Sequence, residues 1–261
     1  WYNSTTVRNY VAWSWKAGAT AVSNTDGSIT SSVSANPDAG CSICTWTGNG
    51  TSGATIGHGL SSAPELIFSK RRDSTGMWTT YAKPAASDAE TDYLRLDGTD
   101  TLADDSRIWN DTAPTASVFS VGSGTSHINT SSATHVTYCF HSVEGYSKVG
   151  SFEGNSSASD GPFVYTGFAP SFVMGQAIDQ TGRWWMYDSA RSPRMNYAIG
   201  TGIRLEADDN GTESADSNAN AIQFLSNGFK VNSSNGEWNA SGSTYIYLAF
   251  AEAPFKYSNA R

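Results

Sequence analysis

The stretch Asn239-Ala-Ser-Gly-Ser-Thr-Tyr-Ile-Tyr-Leu-Ala-Phe-Ala-Glu252 decides the fold. A small polar turn is followed by a nearly unbroken run of aromatic and aliphatic residues at 245–250. Such a run predicts a β-strand that is buried on both faces. The same phrase, a polar turn before an aromatic-rich strand, recurs at 129–141 and at 3–16. Three occurrences of one strand predict a repeated architecture.

Other short segments repeat in the same order and support a duplication. The anchors that match at a spacing of 106 residues are Gly48 and Gly154, Asn49 and Asn155, Gly76 and Gly182, and Tyr81 and Tyr187. Further along the chain, Leu94-Arg95-Leu96 is matched to Ile203-Arg204-Leu205. We therefore place an orphan closing strand and a linker at 1–38, a first unit at 39–144 and a second unit at 145–261.

Short apolar runs separated by turns rich in Gly, Ser, Thr and Asn indicate the fold class. The sequence predicts an all-β protein of two tandem duplicated β-sandwich units, of jelly-roll or lectin-like type, with very little helix. Charged residues make up 15% of the 261 residues, and the net charge is −8. The basic cluster Lys70-Arg71-Arg72 is too short for a phosphate-backbone footprint, so nucleic acid is not an expected partner.

Neither a signal peptide nor a transmembrane span is visible in the sequence, so membrane insertion is not expected. The chain begins with Trp1, inside a copy of the repeated phrase, and we expect it to be the C-terminal piece of a longer polypeptide. Its cysteines are Cys41, Cys44 and Cys139. The second ligand pair that zinc requires is missing, so all three are predicted to be buried apolar residues, with a disulfide or a reactive thiol as the alternative.

Aromatic residues beside charged ones form the candidate ligand-binding site. Trp109 and Trp185 are expected to be at least partly exposed, whereas the equivalent pair Trp78 and Trp184 is expected in the core. Arg183, Asp188 and Arg191 flank Trp185. Exposed aromatic rings beside polar groups suit a carbohydrate or protein contact. The same charged residues could equally form a salt-bridged anchor for their loop, and both interpretations stay open.

Clustered carboxylates in the second unit have three interpretations. A solvated acidic loop is the default. Asp208 and Asp209 are the candidate ligands for calcium, since that cation takes carboxylate oxygens, and no other cofactor is expected. A glycosidase acid–base pair requires two carboxylates across a groove. The prediction is a non-enzymatic protein, with a glycoside hydrolase left open.

Several phrases resemble those of one protein family. They are Tyr-Val-Ala-Trp-Ser-Trp-Lys-Ala-Gly at 10–18, Gly-His-Gly-Leu at 57–60, His-Ser-Val-Glu-Gly-Tyr-Ser-Lys at 141–148, Gly-Pro-Phe-Val-Tyr-Thr-Gly-Phe at 161–168 and Tyr-Ile-Tyr-Leu-Ala-Phe-Ala-Glu-Ala-Pro-Phe-Lys at 245–256. Together they resemble an uncharacterised C-terminal domain of tail or structural proteins of marine bacteriophages, especially cyanophages, which often carry a concanavalin-like lectin module upstream. Cys41 and Cys44 depart from that pattern. The resemblance assigns no catalytic residue.

The resemblance implies a protein of the virion surface. The first hypothesis is a tail-fibre or tail-tip adhesin that binds a host surface glycan or protein. The second is a structural virion component without a ligand, such as a capsid decoration or a fibre subunit. The third is a polysaccharide-degrading tail enzyme. Other virion proteins are expected partners, and such appendages are homo-oligomers, most often trimers.

Overall fold

β19 (Thr244–Ala251), the strand quoted first above, lies in the interior of a six-stranded sheet. The structure, a computed structural model, describes residues 10–18, 20–191, 203–215 and 222–253. β19 pairs antiparallel with β11 (Ser147–Glu153) on one side and with β13 (Pro170–Ala177) on the other. Its six central residues are buried, so that alternate side chains enter two different cores. The prediction of a strand buried on both faces is confirmed.

The remaining strands form two groups along the chain. The first group is β1 (Val22–Asn24), β2 (Ser31–Asn36), β3 (Cys41–Thr47), β4 (Ala54–Gly57), β5 (Leu66–Arg71), β6 (Trp78–Ala82), β7 (Asp92–Arg95), β8 (Ala103–Asp104), β9 (Val118–Val121) and β10 (Thr134–Phe140). The second group adds β12 (Phe163–Tyr165), β14 (Trp185–Asp188), β15 (Ile203–Glu206), β16 (Ser214–Ala215), β17 (Gln223–Leu225) and β18 (Gly228–Lys230).

Helix is scarce in the part of the chain that the structure describes. It comprises α1 (Ser106–Trp109), α2 (Gly236–Asn239) and the 3-10 turns Pro37–Ala39 and Lys83–Ala85. The predicted all-β fold is confirmed. No helix among the described residues has the length and apolar character needed to cross a membrane.

Two large sheets share one strand order. The eight-stranded sheet runs β1-β2-β3-β10-β5-β6-β7-β8, and the six-stranded sheet runs β11-β19-β13-β14-β15-β16. Apart from β1 and β2, the two orders are the same, and each places its closing strand, β10 or β19, between its first and third strands. We call the segment from β3 to β10 the first repeat and the segment from β11 to β19 the second repeat.

Each repeat also contributes a small sheet, and the sheets stack into four layers. The small sheets are β4-β9 in the first repeat and β12-β18-β17 in the second. On β5, Leu66 and Phe68 face a core shared with the second large sheet, whereas Ile67 faces a core with β4-β9. On β19, Leu248 enters the shared core and Tyr247 enters a third core under β12-β18-β17. The two large sheets therefore pack face to face at the centre.

The predicted division at 39, 144 and 145 agrees with these bounds only in part, and the two-sandwich arrangement stays a prediction. The segment 19–38, predicted as a linker, contains β1 and β2, and β2 pairs along its length with β3. The predicted strand at 10–16 is wrong, because residues 10–18 adopt no regular structure. Residues 1–9 and 19, also assigned to that N-terminal piece, lie outside the described residues.

The polar turn before each closing strand makes the same hydrogen bonds in both repeats. The Asn129 side chain accepts a hydrogen bond from the Asn49 backbone N–H at 3.0 Å, and Asn239 accepts one from Asn155 N–H at 2.8 Å. Both amide side chains are fully buried, at 1% and 0% exposure. The Asn239 amide also donates to the carbonyl of Ser233 at 2.6 Å. The repeated phrase thus encodes a side-chain bridge that closes the unit.

One part of the sequence match between the repeats is wrong by two residues. Thr79 lies opposite Arg95 in the β6–β7 ladder, and Trp185 lies opposite Glu206 in the β14–β15 ladder. Because Thr79 and Trp185 are equivalent, Arg95 is equivalent to Glu206 and not to Arg204. The connections differ in length, covering 83–91 in one repeat and 189–202 in the other, which shifts the spacing beyond the anchors used.

All three cysteines are free and buried, as predicted. Cys44 and Cys139 lie in the core between the eight-stranded sheet and β4-β9. Burial, together with the neighbouring Cys44 thiol, raises the pKa of Cys139 well above its ordinary value. These thiols therefore act as small apolar side chains.

Replacing Asn239 with Ala tests the bridge. The change leaves the Asn155 N–H and the buried Ser233 carbonyl without their partner, so we expect the free energy of unfolding to fall by about 2–3 kcal/mol. Asn49→Ala is the matched control, because the Asn49 side chain accepts one exposed hydrogen bond, from Thr51 N–H. Urea unfolding should show a clearly smaller loss for the control. Equal losses for the two variants would contradict this account.

His135 on β10 is a buried histidine whose ring nitrogens have no hydrogen-bond partner among the described residues. Its ring stacks on Trp46 with the centroids 4.3 Å apart. Burial, with a contribution from the charge of Arg71, lowers the pKa of His135 to about 4. The unfolded chain therefore takes up this proton near pH 6.5, whereas the folded protein does not until about pH 4.

Stability should consequently fall as the pH drops from about 6.5 to about 4. This group contributes up to about 3 kcal/mol across that window. His135→Phe keeps the stacking ring and removes the titration, so it should abolish this part of the pH dependence without loss of stability at pH 7.5. Urea unfolding at several pH values measures the difference. Parallel pH profiles for the two proteins would rule out His135 as the source.

Candidate functional site

The predicted exposure of Trp109 and Trp185 is wrong. Their exposures are 2% and 0%. Trp109 ends α1 and packs its ring edge-on against Tyr81 and Phe119 in the first-repeat core. Trp185 points inward from β14 and packs against Trp238. A side chain with no free face cannot stack on a ligand at the surface. Of the pair expected in the core, Trp184 is buried and Trp78 is partly buried against the same cluster.

Asp188 and Arg191 anchor the N-terminal segment. The Trp13 indole donates to Asp188 Oδ2 at 3.2 Å, and the Arg191 guanidinium lies 5.3 Å above the Trp13 ring. Arg191 Nε also donates to Asp188 Oδ2 at 2.6 Å. Trp13 and Trp15 further contact Phe172 edge-on. The salt-bridged anchor is therefore the interpretation that fits these two residues.

Arg183, Asp208 and Asp209 do come together, but around the guanidinium. Arg183 Nη1 lies 3.3 Å from Asp208, 3.0 Å from Asp209 and 3.2 Å from Glu206. Burial raises the pKa of Asp208, and a hydrogen bond from the Trp184 backbone N–H opposes that shift. Among the described residues, no group of three or more His, Cys, Asp or Glu is placed to hold a metal ion. The Arg183 cation occupies the position proposed for calcium.

The first repeat has an open cleft at the equivalent place. In both repeats an aspartate accepts a backbone N–H from the tryptophan of the turn, Asp97 from Trp78 at 3.0 Å and Asp208 from Trp184 at 2.8 Å. The residue before that tryptophan is Arg183 in the second repeat and Met77 in the first. The first repeat thus lacks the cation that fills the second.

The two places also differ in free volume. The first-repeat cleft measures about 580 Å³, and its lining residues are Gly76, Met77, Tyr93, Leu94, Arg95, Asp97, Asp100, Thr101, Ala103 and His127. The second-repeat counterpart is lined by Arg204, Leu205, Glu206, Asp209, Gly211 and Thr212, and measures about 10 Å³. Five of these six positions correspond to cleft residues at a spacing of 111, the spacing that the strand ladders set.

Hydrogen bonds from the second repeat hold one wall of the cleft. Leu102 N–H donates to the carbonyl of Ile178 at 2.8 Å, and Gly182 N–H donates to that of Thr99 at 3.1 Å. The indole of Trp184 donates to the backbone carbonyl of Arg95 at 2.7 Å. The loop at 97–102 is therefore fixed on a rigid neighbour, which favours a preformed site.

The polar groups of the cleft include donors and acceptors in close proximity. Arg95 Nη1 donates to Asp100 Oδ2 at 3.0 Å, and Arg95 Nε lies 3.7 Å from Asp97 with no hydrogen-bond partner among the described residues. His127 Nδ1 accepts from Met77 N–H at 3.4 Å. Burial, followed by the charge of Arg95, lowers the pKa of His127. A neutral imidazole in this state carries its proton on Nε2.

The two carboxylates of the cleft, Asp97 and Asp100, face the same guanidinium. A glycosidase divides its carboxyl groups between a protonated acid and a charged base or nucleophile. A shared guanidinium gives both carboxylates the same ionic partner, an arrangement better suited to holding hydroxyl groups than to acid–base chemistry.

Sequence reasoning placed its candidate site in the second repeat, whereas the open cleft lies in the first. It selected Arg183, Asp208 and Asp209, and the equivalents of the first two, Met77 and Asp97, line the open cleft. Arg95 and His127 were missed. A comparison of the repeats at the spacing of 111 would have shown Arg95 against Glu206 and Met77 against Arg183, a reversal of charge and size between otherwise equivalent positions.

Arg183→Met should reopen the second-repeat cleft. The change leaves the Asp208 side chain, which is 2% exposed, without its cation, whereas Arg183 itself is 36% exposed and partly screened by solvent. We therefore expect a loss of about 1 kcal/mol in the free energy of unfolding, measured by urea titration. Arg107→Met is the control, because Arg107 pairs with Asp105 in solvent, and it should cause no measurable change. The opposite order of effects would refute this role for Arg183.

Comparison with known families extends over nearly the whole chain. A family model described as Domain of unknown function (DUF7483) matches residues 2–254. No curated protein and no solved structure matches the sequence. Because the family model covers both repeats and the segment before them, the chain belongs to the DUF7483 family.

Proposed function

We propose that this chain is a recognition module of a virion surface protein and that the cleft around Arg95 binds one saccharide unit of a host surface glycan. The observation that carries the proposal is the difference between the repeats, an open polar cleft in one and an ion-filled counterpart in the other. The virion location rests on the sequence resemblance, as do the further proposals of a homo-oligomer and of contacts with other virion proteins.

The size of the cleft suits a small ligand. Ligand sites typically enclose about 300–1,000 Å³, and the cleft lies within that range at about 580 Å³. Met77 and the ring of Tyr93 provide apolar surface for the carbon face of a sugar ring. Most of the remaining lining is polar and can bind the hydroxyl groups. The cleft therefore offers suitable contacts to both the apolar face and the hydroxyl groups of a saccharide.

The charges of the cleft favour a neutral saccharide over an acidic one. Asp97 and Asp100 flank the single cation Arg95, and both carboxylates would repel a ligand carboxylate. Hydroxyl groups can donate to the carboxylates and accept from the terminal nitrogens of the Arg95 guanidinium, whose side chain is 39% exposed. Bonds to charged groups are the stronger class, so this lining provides both affinity and orientation.

A structural role in the particle is the second candidate function. It is favoured by the exposed aromatic residues Phe163 and Tyr165 on an edge strand, which provide a contact surface away from the cleft. A polysaccharide-degrading activity is not proposed, since no observation on the described residues favours it over binding.

Rebuilding the second-repeat side chains in the first repeat tests the binding site. Met77→Arg places a cation beside Asp97, and combining it with Arg95→Glu reproduces the charges of the filled cluster. Both variants should bind at least about tenfold more weakly, a loss of about 1.4 kcal/mol or more. The measurement is titration of the purified chain against a panel of neutral and acidic glycans and against host cells before and after periodate oxidation.

Arg183→Met is the matched control, because it opens the other repeat and leaves the Arg95 cleft unchanged. It should bind like the unmodified protein. Undiminished binding by both Met77→Arg variants would move the site elsewhere on the molecule. A failure of the unmodified chain to bind any glycan, or periodate-insensitive binding to cells, would overturn the saccharide assignment.

A further inference from the structure

β12 is an edge strand with an exposed aromatic face. It is the outer strand of the three-stranded sheet β12-β18-β17. Val164 points into the core, whereas Phe163 and Tyr165 are 48% and 59% exposed on the outer face. Exposed edges that carry large apolar side chains invite pairing with another chain, and proteins normally cover them.

The equivalent edge in the first repeat is covered by the chain itself. Ile56 on β4 pairs with Phe119 as Val164 on β12 pairs with Phe229, so Thr55 is the equivalent of Phe163. Ile29 N–H donates to the carbonyl of Thr55 at 3.0 Å.

Further bonds fix the same covering segment. Thr55 N–H donates to Ser28 Oγ at 2.9 Å, and Ser28 N–H donates to Thr55 Oγ1 at 2.9 Å. Gly27 also passes close to Thr55, where a Cβ atom on Gly27 would lie 2.3 Å from the Thr55 carbonyl oxygen. Both the N–H and the C=O group of Thr55 are therefore hydrogen-bonded to the covering segment.

Among the described residues of the second repeat, no segment is hydrogen-bonded to the outer edge of β12. Only residues 141–146 connect β10 to β11, and these close a turn in which Val143 N–H donates to the carbonyl of Ser147 at 3.1 Å. On the inner side, Val231 N–H donates to Pro162 and Thr166 N–H donates to Asn227. By the alternation of an antiparallel ladder, the N–H and C=O groups of Phe163 and Tyr165 point to the open edge.

We propose that β12 pairs with β12 of a second copy of this chain, antiparallel, about a two-fold axis through Val164. This arrangement sets Phe163 opposite Tyr165 of the partner subunit, and the reverse. The free N–H and C=O groups then satisfy each other in two reciprocal pairs, and the small sheets join into one sheet of six strands. The proposal does not depend on the saccharide site.

The arrangement of hydrogen-bonding groups on the β12 edge favours a second copy of the chain as the partner. Its donors and acceptors are self-complementary about Val164, and the aromatic side chains become cross-strand neighbours on one face, a favourable pairing. Two-fold closure also leaves no β12 edge exposed. Because a three-residue strand buries less area than a standard interface, we expect dissociation constants of about 10 μM to about 1 mM in solution.

Engineered cysteines test the register. Equal amounts of Phe163→Cys and Tyr165→Cys proteins, mixed under mild oxidation, should form a disulfide-linked heterodimer at least about tenfold faster than either protein alone. Directly opposite positions have the Cα spacing that a disulfide accepts, whereas 163 to 163 and 165 to 165 are diagonal and farther apart. The native cysteines are buried, so they do not compete.

Sedimentation equilibrium up to about 1 mM protein measures the association directly. Tyr165→Pro removes the outward N–H at a position where an edge strand tolerates proline, and should weaken association at least about tenfold. Tyr165→Lys, which keeps that N–H and adds a charge, should do the same if proline disturbs folding. Val22→Ser on the edge strand β1, with a residue that is 64% exposed, is the control and should associate normally. A monomer at every concentration, or mixed cysteines that link no faster than single ones, would overturn the proposal.

Discussion

Phe68, Phe172 and Phe250 lie in one apolar layer between the eight-stranded and six-stranded sheets, and this contact joins the two repeats. Because the six-stranded sheet is buried on both faces at its centre, β19 has apolar side chains at all six of its central positions. The contact also fixes the distance between the repeats. That distance lets the Trp184 indole reach the Arg95 carbonyl and holds the wall of the first-repeat cleft.

The two repeats have the same strand order and differ in selected side chains. The buried asparagine bridge is present in both copies, since it closes each unit and removal would leave buried polar groups without partners. Met77 and Arg183 occupy equivalent positions. Arg183 lies among three carboxylates, whereas Met77 lines an open cleft.

The all-β class, the burial of the closing strand and the burial of the cysteines could be predicted because they depend on local pattern. The cleft could not, because the register between the repeats shifts in a connection of unequal length, and Arg95 was matched to the wrong residue. The exposure of Trp109 and Trp185 was mispredicted for a related reason. Their positions near turns resemble surface sites, whereas tertiary packing against Tyr81 and Trp238 buries them.

The open cleft and the exposed edge strand lie in different repeats. The first repeat has the open cleft and an edge strand covered by residues 27–29, whereas the second has a filled cleft and an exposed edge strand. A protein with a single repeat would need the open cleft and the exposed edge strand on the same repeat. Ligand contacts and subunit contacts would then compete for its limited surface. Two copies of one fold, fixed by a shared core, can separate these tasks. In the proposed assembly, β12 is the edge that pairs, because residues 27–29 already cover the equivalent strand β4.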